Sequence, residues 1–195
     1  MEQRVITLFH ESIEATMQTG EELAPAIARA SEIMVEALLN GHKILTCGNG
    51  ISAAQAQILT NCLLHRFEQE RPSLPALHIG SDLVSGSAMA TDGGGNDVYA
   101  KPLRAVGQEG DVLVLFTSTG SDSNLLQTIS AAHERHIRVI ALTGGDGGDA
   151  ASLLDHGDIE LRAALPSRTR VQEVHLLTLF CLCDLIDQHL FGGFH

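Results

Sequence analysis

Over residues 1–41 the apolar positions recur at helical spacing. Val5, Ile6, Leu8, Phe9 and Ile13 form one set, and Leu23, Ile27, Ile33, Met34, Ala37 and Leu38 form a second that stops at Asn40-Gly41. This pattern predicts two N-terminal helices. The period then changes. Short apolar or β-branched runs occupy residues 42–47, 76–79, 111–116, 137–142 and 158–162, and each reads as a strand. Segments of helical composition lie at residues 53–67, 98–106 and 124–135. Alternation of strand and helix predicts an α/β fold, a doubly wound parallel sheet covered on both faces. The last periodic stretch, residues 168–190, places Val171, Val174, Leu177, Leu179, Leu182, Leu185 and Ile186 around most of a helix. A helix apolar on several faces is buried, and in a chain of this size another subunit is the expected partner for part of it.

The breaks between elements carry the chemistry. Glu70-Arg71-Pro72-Ser73-Leu74-Pro75 reads as a connector, residues 91–97 as a mobile loop, and Thr143-Gly144-Gly145-Asp146-Gly147-Gly148 as a glycine turn. None is long enough to link domains, so residues 1–195 read as one domain, with helices over 1–41 and an α/β core plus C-terminal helix over 42–195. Two turns stand out. Cys47-Gly48-Asn49-Gly50-Ile51-Ser52 follows one strand run, and Thr117-Ser118-Thr119-Gly120-Ser121 follows another; each leads into a helix. Helix N-termini offer unpaired N–H groups and partial positive charge, and glycine lets the backbone approach an anion. Open α/β sheets bind ligands beyond the carboxyl ends of their strands. The pair of turns therefore points to a phosphorylated small molecule.

Composition narrows the partners. A chain of 195 residues, 44% hydrophobic, suffices for one sizeable core. Its 24 acidic and 12 basic residues give a formal charge of −12, with no basic cluster to attract nucleic acid or an anionic membrane. Cys47, Cys62, Cys181 and Cys183 lack metal-finger spacing and read as buried free thiols, which fits a reducing compartment. Residues 1–20 mix charge with apolar positions and resemble neither a signal peptide nor a membrane span. A cytoplasmic location is expected.

At Cys47-Gly48-Asn49-Gly50-x-Ser52, Thr117-Ser118-Thr119-Gly120 and Val171-Gln172-Glu173-Val174-His175, the sequence resembles the sugar isomerase (SIS) domain family. The likeness runs end to end, and it is strongest to the group that holds the phosphoheptose isomerases and the DnaA initiator-associating proteins. The resemblance implies a five-stranded parallel sheet, a homotetramer and sites at subunit interfaces that recognise sedoheptulose 7-phosphate in the enzymes. It also implies a phosphate among Ser52, Thr117, Ser118 and Thr119, and a sugar lined by Asn49, Gly50, Asp92 and Gln172, with Ile51, Thr91 and Asp122 beside them.

Isomerisation of an aldose to a ketose needs a base, an acid and a group that stabilises the enediolate. The zinc enzymes of the family use a histidine and a glutamate on one helix and a glutamine and a histidine on the last. Those positions hold Ile58, Cys62, Gln172 and Phe180 here. Ile58 and Phe180 have no lone pair to give, and an amide oxygen alone is a poor zinc ligand. No catalytic residue, no zinc and no other cofactor is therefore expected, zinc remaining the alternative if the isomerase reading holds. Asp122 departs as well, standing where the isomerases have serine. Two like charges about 4 Å apart cost on the order of 4 kcal/mol at an effective dielectric near 20, so a phosphate there would be repelled.

By resemblance, the expected role is a homotetrameric scaffold that binds DnaA and promotes its assembly in replication initiation. Phosphoheptose isomerase and a phosphosugar-sensing regulator are the alternatives. Leu190 and Phe191, near the C-terminus with Phe194, suit either packing or an apolar patch for that partner. His175 shares a helix face with Gln172 and reads as an interface histidine before a ligand, His65 as a solvent-facing one, and Asp92 as a turn former before a base.

Overall fold

The computed structural model describes residues 1–192. Helix α1 spans Glu2–Leu39, β1 Ile44–Gly48, α2 Ile51–Leu64, β2 Ala76–His78 and α3 Leu83–Thr91. A single 3-10 turn at Gly95–Asp97 leads to α4, Ala100–Val106. The chain continues as β3 Val112–Phe116, α5 Ser123–Glu134, β4 Arg138–Gly144, α6 Gly148–Leu153, β5 Ile159–Ala163 and α7 Arg168–Phe191.

All four strand pairings are parallel, in the order β2-β1-β3-β4-β5. Ile44 sits opposite Val112 and Gly48 opposite Phe116, so the carboxyl ends of β1 and β3 lie side by side. The strand order reverses between these two, which is where an open sheet leaves a crevice.

Successive residues of a strand face opposite sides of the sheet. Ile44, Val112, Val114, Phe116, Ile140, Leu142 and Leu161 pack with Met34, Leu59, Leu63, Leu179, Leu182 and Ile186 from α1, α2 and α7. Leu45, Leu113, Leu115 and Val139 pack the other way, with Leu103, Leu125 and Ile129 from α4 and α5. The sheet is thus covered on both faces. α7 is long and apolar enough, by length and composition, to cross a bilayer, yet it packs on α1, α2, β4 and β5 of its own chain.

The two N-terminal helices expected from the sequence are one continuous helix. Pro25 lies inside it and removes one backbone donor, and Gly20 weakens it by about 1 kcal/mol relative to alanine. Burial of Leu23, Ile27, Ala30 and Met34 beside α7 outweighs both and carries the helix through. The expected loop at 91–97 is occupied by the end of α3 and the 3-10 turn. Helix α3 buries none of its residues within the chain.

Candidate functional site

The two polar turns meet at the crevice. After β1 the backbone bends at Gly48, where a Cβ would lie 2.7 Å from the carbonyl of Ser52 and 2.9 Å from the oxygen of Phe116. Only glycine lets α2 start so close to β3. After β3 the chain turns at Gly120, φ +71°, where a Cβ would stand 1.9 Å from the oxygen of Gly147. That contact locks the third glycine turn, after β4, against the second; Ala150 N donates to Gly120 O at 2.9 Å.

Within the second turn the Thr117 hydroxyl is the hub. It accepts from the N–H of Gly120 at 2.9 Å and of Thr119 at 3.4 Å, and donates to Asp122 Oδ2 at 3.1 Å. Across the crevice, Asn49 and Asn124 exchange amide hydrogen bonds, both 2.9 Å, so the β1–α2 turn is tied to the first turn of α5. Tyr99 donates to Gly48 O at 2.5 Å or to Asn49 Oδ1 at 3.2 Å. Burial, with the nearby Cys47 and Asp122, pushes its phenol up to about 12, so it stays a donor at neutral pH.

Ser52 is buried and accepts from Gln172 Nε2 at 3.1 Å; Gln55 Nε2 in turn donates to Gln172 O at 2.6 Å. His175, one turn further along α7, is buried beside Phe116 and bonds through Nε2 to Thr143 O at 2.9 Å. A carbonyl only accepts, so Nε2 carries the proton and Nδ1 presents a lone pair. Burial lowers this imidazole to about 4, and the bond to Thr143 offsets that in part. Three buried acceptors, Gln55 Oε1, Gln172 Oε1 and His175 Nδ1, have no partner among the described residues.

The expected ligand residues therefore divide. Asn49, Gly50, Ser52, Thr117, Ser118, Thr119, Asp122 and Gln172 belong to the turns or bond to them, while Ile51, in the first turn of α2, points mostly to solvent. Thr91 and Asp92 sit at the exposed end of α3, and neither hydrogen-bonds to a turn; Thr91 Oγ1 donates to Ser87 O within its own helix. Asn124, Tyr99 and Gln55 went unrecognised in the sequence. Gln55 alone had a local signal, lying three residues after Ser52 on the same helix.

The zinc positions of the resembled enzymes do not fit a metal here. Ile58 is partly exposed and Phe180 stacks on Phe67 with ring centroids 5.8 Å apart. Among the described residues no three His, Cys, Asp or Glu side chains gather to hold an ion. Cys62 instead faces Cys183, whose hydrogen bond lowers the Cys62 thiol, assisted by Arg71 and opposed by burial; the same contact and burial raise Cys183. All four cysteines are free thiols. His65 is exposed at the end of α2.

Arg71, from the connector, fastens this region. It donates to Asp187 Oδ1 at 2.8 Å, Leu63 O at 2.8 Å and Cys62 O at 2.6 Å, and its guanidinium lies 5.9 Å from the Phe191 ring centroid. Leu190 and Phe191 are half-buried against the core; Phe194, grouped with them in the sequence, lies outside the described residues.

Comparison with known proteins adds the family. The SIS domain model matches residues 8–144. The chain belongs to the SIS domain family. Among its SIS relatives, a phosphoheptose isomerase of Chromohalobacter salexigens is 48% identical over 97% of this chain and 96% of its own length. The DnaA initiator-associating protein DiaA of Escherichia coli O1:K1 is 46% identical over 98% and 97%. In three dimensions the SIS fold superposes on a phosphoheptose isomerase from Francisella tularensis with a TM-score of 0.92 at 41% identity, covering 95% of this chain and 97% of that one. SIS relatives of nearly equal identity thus carry two different names.

Proposed function

We propose that this protein is a non-catalytic SIS-domain scaffold of the DiaA kind, a homotetramer that binds DnaA and promotes its assembly in replication initiation. The observation that carries the reading is the chemistry of four side chains. Ile58, Cys62, Gln172 and Phe180 stand where the resembled isomerases place their metal and proton-transfer groups, and only Gln172 retains the family residue. A positioned acid or base supplies roughly 10²–10⁴-fold in rate, so their loss removes the reaction before it removes the fold. Linked binding sites in a tetramer raise the effective concentration of captured partners, and the −12 charge suits contact with a basic, DNA-binding protein.

The test is conversion of sedoheptulose 7-phosphate by the purified protein, with and without added zinc, beside a zinc-dependent isomerase, together with capture of purified DnaA. No turnover with DnaA retained supports the scaffold. Turnover abolished by a chelator installs the second reading, phosphoheptose isomerase, which the 48% identity to a relative of that name favours.

A further inference from the structure

We propose that Asp122 is an internal anion that closes the β3–α5 turn to phosphate and so decides which ligands the crevice accepts. As the N-cap residue of α5 its carboxylate would ordinarily accept the N–H groups of the first helical turn. It makes no such cap bond and accepts the Thr117 hydroxyl instead. The N–H groups of Ser121, Asp122, Ser123 and Asn124 find no acceptor among the described residues. Unpaired N–H groups at a helix start beside a glycine turn form an anion cradle, and the chain holds its own carboxylate at the edge of it, on the Thr117 hydroxyl.

A phosphate entering the cradle would meet two obstacles. The Thr117 proton, the buried donor at the centre of the turn, is already committed to Asp122. The carboxylate also repels the dianion at short range. Ser118 and Thr119 cannot make good the loss, because hydroxyls without a positive charge add little against a full negative one. The opposite wall is closed by internal bonds too, through the Asn49–Asn124 pair and Tyr99. The crevice keeps the two polar turns and turns away the phosphate.

This inference rests on reading the crevice as the remnant of such a pocket, and it separates from the choice of partner by experiment. Binding of inorganic phosphate and of sedoheptulose 7-phosphate is measured by calorimetry on the full-length protein and on Asp122→Ser and Asp122→Asn. Serine removes the charge and frees Thr117; asparagine removes the charge and keeps an acceptor for Thr117, which preserves the turn. We expect at least a tenfold tighter dissociation constant for both probes with Asp122→Ser, and a smaller gain with Asp122→Asn. Wild-type affinity equal to that of folded variants would overturn the proposal. DnaA capture is followed in parallel on the same preparations. A gain in phosphate binding with capture lost, or the reverse, tells which reading failed.

Discussion

Strand β3 and the first half of α1 are both rich in large apolar side chains, and they use them in opposite ways. All five residues of β3 are fully buried. Phe9 and Met17 on α1 are 67% and 64% exposed, and Val5, Ile6 and Ile13 are exposed with them. The cause is length. Ser12 hydrogen-bonds Glu173 near the start of α7, so Val5, Ile6 and Phe9 run past the end of the helix that covers the rest, while Ile13 and Met17 lie alongside it on an exposed face of α1. At 1.5 Å per residue, a helix of 38 residues extends about 57 Å, more than a domain of this size can shelter. One region therefore sets the stability of the fold, and the other leaves a row of apolar side chains uncovered.

The comparison can be broken at several strengths. Phe116→Ala removes the largest fully buried side chain, between α2, α7 and the sheet, and should cost about 3–5 kcal/mol in urea denaturation; a loss under 1 kcal/mol would mean the sheet is not the stabilising centre. The next effect is acid sensitivity from His175, in the same core. Its imidazole lies at about 4 against an ordinary 6.5. Above pH 6.5 both folded and unfolded states are neutral there and stability is unaffected. As pH falls from 6.5 toward 4 only the unfolded state gains a proton, so about 3 kcal/mol is lost over that window. His175→Gln should flatten this part of the pH profile, and an unchanged slope would place the acid sensitivity elsewhere. Smallest in stability is Phe9→Ser with Met17→Ser, expected within about 0.5 kcal/mol for surface positions. The same pair should shift sedimentation toward smaller species. A tetramer that survives the double change would mean the α1 arm is not its interface.

Much of the architecture was legible because the sheet is buried on both faces. Strands β1, β3 and β4 are nearly continuous apolar runs of that kind, whereas the edge strand β5 alternates Ile159, Leu161 and Ala163 with Glu160 and Arg162; all five runs became strands with boundaries displaced by a few residues. Helix α3 was not legible: Leu83-Val84-Ser85-Gly86-Ser87-Ala88-Met89-Ala90-Thr91 has no apolar stripe, since it buries nothing within the chain. The division of α1 failed for a different reason. Residues 14–22 lack apolar periodicity and Pro25 follows them, but packing further along the helix decides whether it breaks. In the site, the turns announced themselves through glycine and hydroxyl residues. Their partners did not, because the bonds of Asn49 to Asn124 and of Gln172 to Ser52 join residues 75 and 120 positions apart. The reach of Asp122 to Thr117 spans five residues, yet a capping bond to its own helix was the more ordinary use of that carboxylate.

The interior position of β1 in the sheet, one strand from the edge, also sets a schedule for the chain as it is made. Its neighbours are β2 and β3, and the ion pair that closes the far end of the β1–β3 ladder joins Lys43 to Asp111, 68 positions later. At a synthesis rate of 5–20 residues per second, β1 and the long helix before it wait roughly 3 to 14 seconds for β3 to emerge. During that interval the nascent protein presents the whole length of α1 uncovered. Whatever keeps neighbouring nascent chains from pairing through that helix acts before the sheet exists.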